Sequence, residues 1–174
     1  MGFAHTRVKR RYDLTELGLL EGPPLKASKI VTEAAWESLK STSVVFFVFD
    51  DTCGEILVHA AAHQIKLGNR YPIYTSALPE LREDLVTVNV PNLKISYADS
   101  IEAKVLKMAA MLAAPVLGPD MSPIGALVAF DRNARDWTEQ ERERLENFAY
   151  LVTQEIILRA SFATIEIMSA NTNH

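Results

Sequence analysis

The chain has one cysteine, Cys53, in 174 residues. No intrachain disulfide can form, which excludes the secreted scaffolds that depend on them. Long hydrophobic runs are missing too. The longest strongly apolar stretch, Met108 to Leu117, is too short to cross a bilayer, which takes ~20 residues. The basic residues near the N-terminus lead into no apolar stretch, so they do not form a secretory signal. Nor is there an excess of positive charge. The 18 Lys and Arg are outnumbered by 22 Asp and Glu, giving a net charge of −4. A general nucleic-acid binder usually carries a basic balance or stripe. The expectation is no nucleic-acid partner, no membrane span and a cytoplasmic location. Arg7, Lys9, Arg10 and Arg11 form a local basic cluster, read as a solvated arm or as a contact to an acidic partner or membrane surface. Met1-Gly2 with Thr6 matches only a loose acylation pattern.

The usual chemical motifs are also missing. There is no Ser/His/Asp constellation, no Gly-rich phosphate loop and no Cys/His metal cluster. His59 and His63 are four apart in a stretch that reads as a strand. They then share a face but stand ~13 Å apart, too far for one metal unless a bulge brings them together. Cys53 falls in turn chemistry, Asp50 to Gly54, and reads as a plain turn residue.

What is present is an ordered alternation of helical and strand patterns. Lys9 to Leu20 reads as a short helix that Gly22-Pro23-Pro24 breaks. Leu25 to Lys40 reads as a second helix, with Ala27, Val31, Ala35 and Leu39 on one face and Ile30 and Ala34 beside them. Ser43 to Phe49 is β-branched and aromatic, a strand buried on both faces. Glu55 to Ile65 reads as its hairpin partner. Leu85 to Val90, Met108 to Leu117 and Ile124 to Phe130 read as further strands.

The last helix has the clearest start. Thr138 and Glu141 have the spacing of a capping box. The helix is expected to reach Met168, about 31 residues or ~46 Å. It carries two apolar stripes. Leu145, Ala149, Val152 and Ile156 form one, suited to covering a sheet. Leu151, Leu158, Phe162 and Ile165 form the other, roughly 120–140° around the helix. The second stripe either widens a face buried within one chain or pairs with a second copy as a homodimer interface.

These residues resemble a GAF domain. Leu17 to Pro24 is similar to the segment leading into many bacterial members, and Val44 to Asp51 to the first strand and its acidic turn. Leu112 to Val116 with Ile124 to Asp131 resembles the last strand pair. Arg135 to Glu141 with Leu145 to Leu151 resembles the closing helix. The resemblance implies an α/β (α+β) fold, GAF/PAS-like: a central antiparallel sheet, helices on one face, a ligand cavity or its remnant on the other, and a long C-terminal helix. It divides the chain into an N-terminal helical segment, 1–22, a sensor domain, 23–160, and a helix extension with tail, 161–174. It implies a small-molecule sensor, dimeric through its terminal helices, with a kinase, cyclase or transcription module as output partner. No such module follows His174, so the chain is an excised piece or a stand-alone sensor.

In members of the family the middle of the chain forms the cavity wall. Here Tyr71 to Leu106 holds Tyr74, Thr75, Ser76, Asn89, Asn92, Tyr97, Asp99 and Ser100 among apolar residues. Apolar lining with a few polar groups suits a small ligand. Tyr74, Thr75, Asn89, Asn92, Tyr97 and Asp99 are the candidate pocket wall, and capped loops over a filled core are the alternative. The family's acidic residue after a Val-Pro pair is replaced, since Val90-Pro91 leads to Asn92. Small residues at Ala109, Ala110, Ala113 and Ala114 leave room beside the sheet or admit a close-packed helix. The ligand remains unknown. No covalent bilin and no metal are expected, because bilin attachment in relatives uses cysteines later in the domain. A branch of the family reduces free methionine sulfoxide through a disulfide between cysteines, which one cysteine cannot form. The chain is therefore expected not to be an enzyme, and an interaction module without a ligand is the main alternative.

Overall fold

The computed structural model describes residues 13–172. The basic cluster at 7–11 and the possible acylation site at Gly2 lie outside them. Six strands form one antiparallel sheet in the order β3-β2-β1-β6-β5-β4. They are β1 (Ser43–Asp50), β2 (Glu55–Ala62), β3 (Arg70–Pro72), β4 (Val88–Val90), β5 (Ala110–Leu117) and β6 (Pro123–Asp131). Both edge strands, β3 and β4, are three residues long, which leaves little unpaired edge for association.

The centre of the sheet follows from β1, whose residues are all buried. Val44, Phe46 and Val48 point to one face, and Val45, Phe47 and Phe49 to the other. Period-two alternation therefore gives apolar side chains to both layers. Strand β6 approaches β1 so closely at Gly125 that a methyl group there would overlap the carbonyl oxygen of Phe47.

The two long helices, α1 (Lys26–Leu39) and α5 (Glu139–Thr172), cover the first face. The capping box forms as its spacing predicts. Glu141 N–H donates to Thr138 Oγ1 at 3.1 Å, and Thr138 N–H donates to Glu141 Oε2 at 2.8 Å. Leu145, Ala149, Val152 and Ile156 are buried on the sheet.

Helix α1 buries Ala35 and Leu39 of the expected face, with Ala27 and Val31 half-buried, and adds Ser28 and Thr32 beside them. Ile30 is exposed. Thr32 Oγ1 donates to Ser28 O at 2.6 Å, and Ser28 Oγ donates to Glu155 Oε2 of α5 at 3.4 Å. Satisfied small hydroxyls let the two helices pack here, where burial without partners would be costly. The expected helix at Lys9 to Leu20 is also corrected. Its described part, from Asp13, is a series of turns. Gly18 has a φ of +73° and Asp13 Oδ1 accepts the Thr15 N–H, both incompatible with a continuing helix. Its leucines still pack inward: Leu14, Leu17 and Leu19 are buried with α1 and α5.

The second face is covered by four short elements: a 3₁₀ turn (Ile73–Thr75), α2 (Pro79–Asp84), α3 (Leu93–Ser96) and α4 (Ile101–Lys104). The strand expected from Leu85 begins instead at Val88. Leu85 is the left-handed C-cap of α2 with a φ of 54°, and both it and Val86 are exposed.

Candidate functional site

The covering segment is held by capping and by one buried carboxylate. Asn92 caps α3, its side chain accepting the Lys94 N–H at 3.1 Å. Ser100 caps α4, accepting the Ala103 N–H at 3.3 Å. Glu102, fully buried, accepts the Ala77 N–H at 3.0 Å and a very short hydrogen bond from the Ser76 hydroxyl. Ser76 Oγ in turn accepts the Leu78 N–H at 3.1 Å. Burial raises the Glu102 carboxyl above its ordinary range, and these donors oppose the rise.

The carboxylate thus ties two limbs of chain together, 73–78 and 97–106. Between them lies an open groove of about 410 Å³, lined by Tyr74, Thr75, Ser76, Ser96, Tyr97, Ala98, Asp99 and Ser100. Four of the six expected wall residues, Tyr74, Thr75, Tyr97 and Asp99, meet here. Tyr74 is 83 % exposed. Thr75 Oγ1 donates to Pro72 O at 2.7 Å. Asp99 forms an exposed ion pair with Lys104 at 2.6 Å, and that hydrogen bond lowers its carboxyl.

Asn89 and Asn92 do not join them. Asn89 is exposed on β4, and Asn92 is occupied in capping. Ser76 and Ser100, named among the polar residues of the segment but not among the six wall residues, line the groove, as does Ser96; neither Ser96 nor the bracing Glu102 was named. Their signal was weak: a lone acidic residue in a mixed segment reads as surface.

The expected cavity between this segment and the sheet is replaced by side chains. Val45, Phe47, Phe49, Val128 and Phe130 from the sheet pack with Leu78, Leu81 and Leu93 from the covering segment. No strand residue lines the groove. Ala113 is buried in this close packing, while Ala110 and Ala114 are buried on the other face of the sheet with the long helices.

A smaller cleft of about 250 Å³ lies where α1 meets the end of β2, lined by Glu33, Trp36, Glu37, Ala61, Ala62 and His63. His63, in left-handed backbone, stacks on Trp36 with ring centroids 3.9 Å apart. His59 faces elsewhere, with both ring nitrogens engaged by the backbone at Leu19 and Leu25. The two histidines therefore offer no shared site. Among the described residues, no group of three or more His, Cys, Asp or Glu side chains converges as a metal site would require.

The model of the GAF domain family matches residues 23–156. The chain belongs to this family. Solved GAF structures share the fold. The GAF domain of a phosphoenolpyruvate-protein phosphotransferase from Coxiella burnetii aligns with a TM-score of 0.69 at 18% identity, covering 87% of this chain and 96% of that one. The blue-light absorbing form of the PixJ GAF domain of Thermosynechococcus elongatus aligns with a TM-score of 0.65 at 17% identity, covering 92% and 94%. A free methionine-R-sulfoxide reductase of Neisseria meningitidis, solved with its substrate, aligns with a TM-score of 0.64 at 17% identity, covering 79% and 81%. At these identities the likeness is one of fold. A search of the curated proteins finds no match.

Two surface features of this GAF domain bear on function. Cys53 is exposed in the β1–β2 turn, where the Asp50 carboxylate raises its thiol pKa and lowers its reactivity. On α5 the second stripe stays uncovered: Leu151, Leu158, Phe162 and Ile165 are 53%, 55%, 58% and 57% exposed. The chain's own sheet does not bury them. Tyr150 and Met168 are exposed on one flank of this stripe, and Ile167 is exposed on the opposite side of the helix. Among the described residues, no helix is long and apolar enough to cross a membrane.

Proposed function

We propose that this GAF domain is a non-catalytic signalling module that works as a homodimer. It pairs along α5 and takes a small molecule in the groove between Tyr74–Ser76 and Ser96–Ser100. The exposed stripe on α5 carries this reading. Leu151, Leu158 and Ile165 recur every seven residues, with Phe162 at the intervening step, the spacing of a two-helix seam. Each side chain has about half its surface left to bury. Half of the ~1.5–3 kcal/mol for full burial, over both copies, gives about 6–12 kcal/mol. Association costs about 4–15 kcal/mol, so burial at the flanking Tyr150 and Met168 would add to what the stripe supplies.

The dimer is tested by sedimentation of wild type against Leu158→Asp with Phe162→Asp. A dimeric wild type and a monomeric, folded double variant are expected. A monomeric wild type, or a double variant that remains dimeric, refutes the pairing. The non-catalytic reading predicts background turnover of free methionine sulfoxide with a thiol reductant, and a rate abolished by Cys53→Ser refutes it. The output would pass to a kinase, cyclase or transcription partner acting with the paired helices, in the cytoplasm.

The filled second face favours a second reading, an interaction module without a ligand. Thermal-shift measurement on wild type and Tyr97→Ala with a metabolite library separates the two. A ligand that stabilises wild type but not the variant supports sensing, and no stabilising ligand leaves the interaction module.

A further inference from the structure

The β1–β2 ladder slips by one residue: Phe46 pairs with Ala60, and Phe47 with Val58. His59 is the extra residue, a β-bulge of the kind that redirects a side chain. Its ring lies on the helix side of the sheet, edge-on to Phe46 with centroids 5.4 Å apart. His59 is 7% exposed. Its two nitrogens meet two backbone groups of one linker. The Leu25 N–H donates to Nε2 at 3.2 Å, and Nδ1 lies 3.0 Å from the Leu19 carbonyl oxygen. An amide can only donate and a carbonyl can only accept. The ring is therefore neutral, with its proton on Nδ1.

This linker connects the turns at Asp13–Gly18 to the start of α1, and Leu19 and Leu25 are buried beside α5. Gly18 lies against Leu25 and Arg159, near Ala160, the last buried residue of α5. The ring thus holds the N-terminal strap across the base of the helix extension.

We propose that His59 is a proton-sensitive latch. Protonation of Nε2 sets N–H against N–H at Leu25 and frees the Leu19–Leu25 strap from the sheet and α5.

The groups around the ring act in both directions, with lowering dominant. From the linker it meets the Leu19 carbonyl and the Leu25 amide, and from β1 the Phe46 ring. From α5 it faces the positive charge of Arg159, which pairs with Glu155 at 3.6 Å. Burial lowers the His59 pKa most, and Arg159 lowers it further, while the Leu19 carbonyl opposes them. For a histidine with a lowered folded pKa, the stabilisation is complete above the unfolded value of about 6.5. It is lost as pH falls through the folded value. Release therefore belongs below about pH 6.5.

Hydrogen exchange on the whole chain tests the latch. Protection of the Leu25 amide, corrected for intrinsic exchange, should fall by up to about tenfold per pH unit as pH drops from about 6.5 towards the lower folded pKa and level off beneath it, while the Phe47 amide stays protected. His59→Gln keeps one donor and one acceptor but does not titrate, so its Leu25 protection should not change with pH. The same pH slope in His59→Gln, or equal loss at Phe47, overturns the proposal. Nitrogen NMR of the wild-type ring gives a check without a variant. An Nδ1-protonated tautomer titrating below about 6.5 supports the latch; an Nε2-protonated tautomer, or a midpoint at or above that value, overturns it.

Discussion

Replacing Glu102 by alanine should loosen the covering segment without touching the sheet. The carboxylate is fully buried and takes two donors from the opposite limb, the Ser76 hydroxyl and the Ala77 N–H. Glu102→Ala strands both. Each unsatisfied buried group costs about 1–3 kcal/mol, so the loss should be about 2–6 kcal/mol from a domain stability of about 5–15 kcal/mol. Glu102→Gln retains one acceptor and avoids burying a charge, so it should cost about 0–2 kcal/mol.

Urea unfolding followed by circular dichroism gives both values. Exchange at the Ala77 and Leu78 amides locates the damage. The pH dependence adds a sign. Burial raises the folded Glu102 pKa above its ordinary value, so the folded state takes up a proton before the unfolded chain does. As pH falls towards that folded value, wild type should gain stability relative to Glu102→Gln. A Glu102→Ala loss below about 1 kcal/mol at neutral pH, or a wild type that loses ground to Glu102→Gln on acidification, refutes the reasoning.

The same packing arguments fix two other outcomes. Gly125→Ala should destabilise by at least about 1–3 kcal/mol, because its methyl meets Phe47 backbone that cannot rotate away; unchanged thermal unfolding would contradict that contact. Thr138→Ala should cost about 0.5–2 kcal/mol and expose the Glu141 amide to exchange, since its hydroxyl is the acceptor there; unchanged Glu141 protection would contradict the cap.

The sequence was most informative where elements span several periods. Strands β1, β5 and β6 and α5 as far as Met168 were recognisable because one pattern persists over many residues, though α5 continues to Thr172. The cap at Thr138 was legible because two side chains at a fixed offset make it. The covering segment resisted. Helices α3 and α4 are four residues long, little more than one turn, so no periodicity can develop. The family resemblance and the mixed composition pointed to the segment that holds Tyr74, Thr75, Tyr97 and Asp99, which line one groove, but neither says how the apolar residues beside them pack above the sheet. The inward face of α1 was legible at Ala35 and Leu39 but not at Ser28 and Thr32, which are polar by type yet internally satisfied by bonds to the Ser28 carbonyl and to Glu155. The bulge at His59 has no local signature. It follows from the mismatch of two strands.

Helix α5 carries two instructions that overlap and then separate. From Leu145 to Ala160 the inner stripe is buried on the sheet, while the outer stripe, beginning at Leu151, faces away. Beyond Ala160 the inner instruction ends. Ser161, Phe162 and Thr164 to Thr172 are exposed, yet the helix continues. Ser161, Thr164 and Thr172 return their hydroxyls to carbonyls one turn earlier, which adds little helix stability. An isolated helix shorter than ~12–15 residues is marginal in water, so this extension depends on propagation from the packed part, and under the proposed pairing a second copy would cover its apolar side. Phe162 and Ile165 supply that side in line with Leu151 and Leu158. The outer stripe therefore spans both the supported and the unsupported helix. Pairing along it would stabilise the extension and fix its direction relative to the sheet in one step.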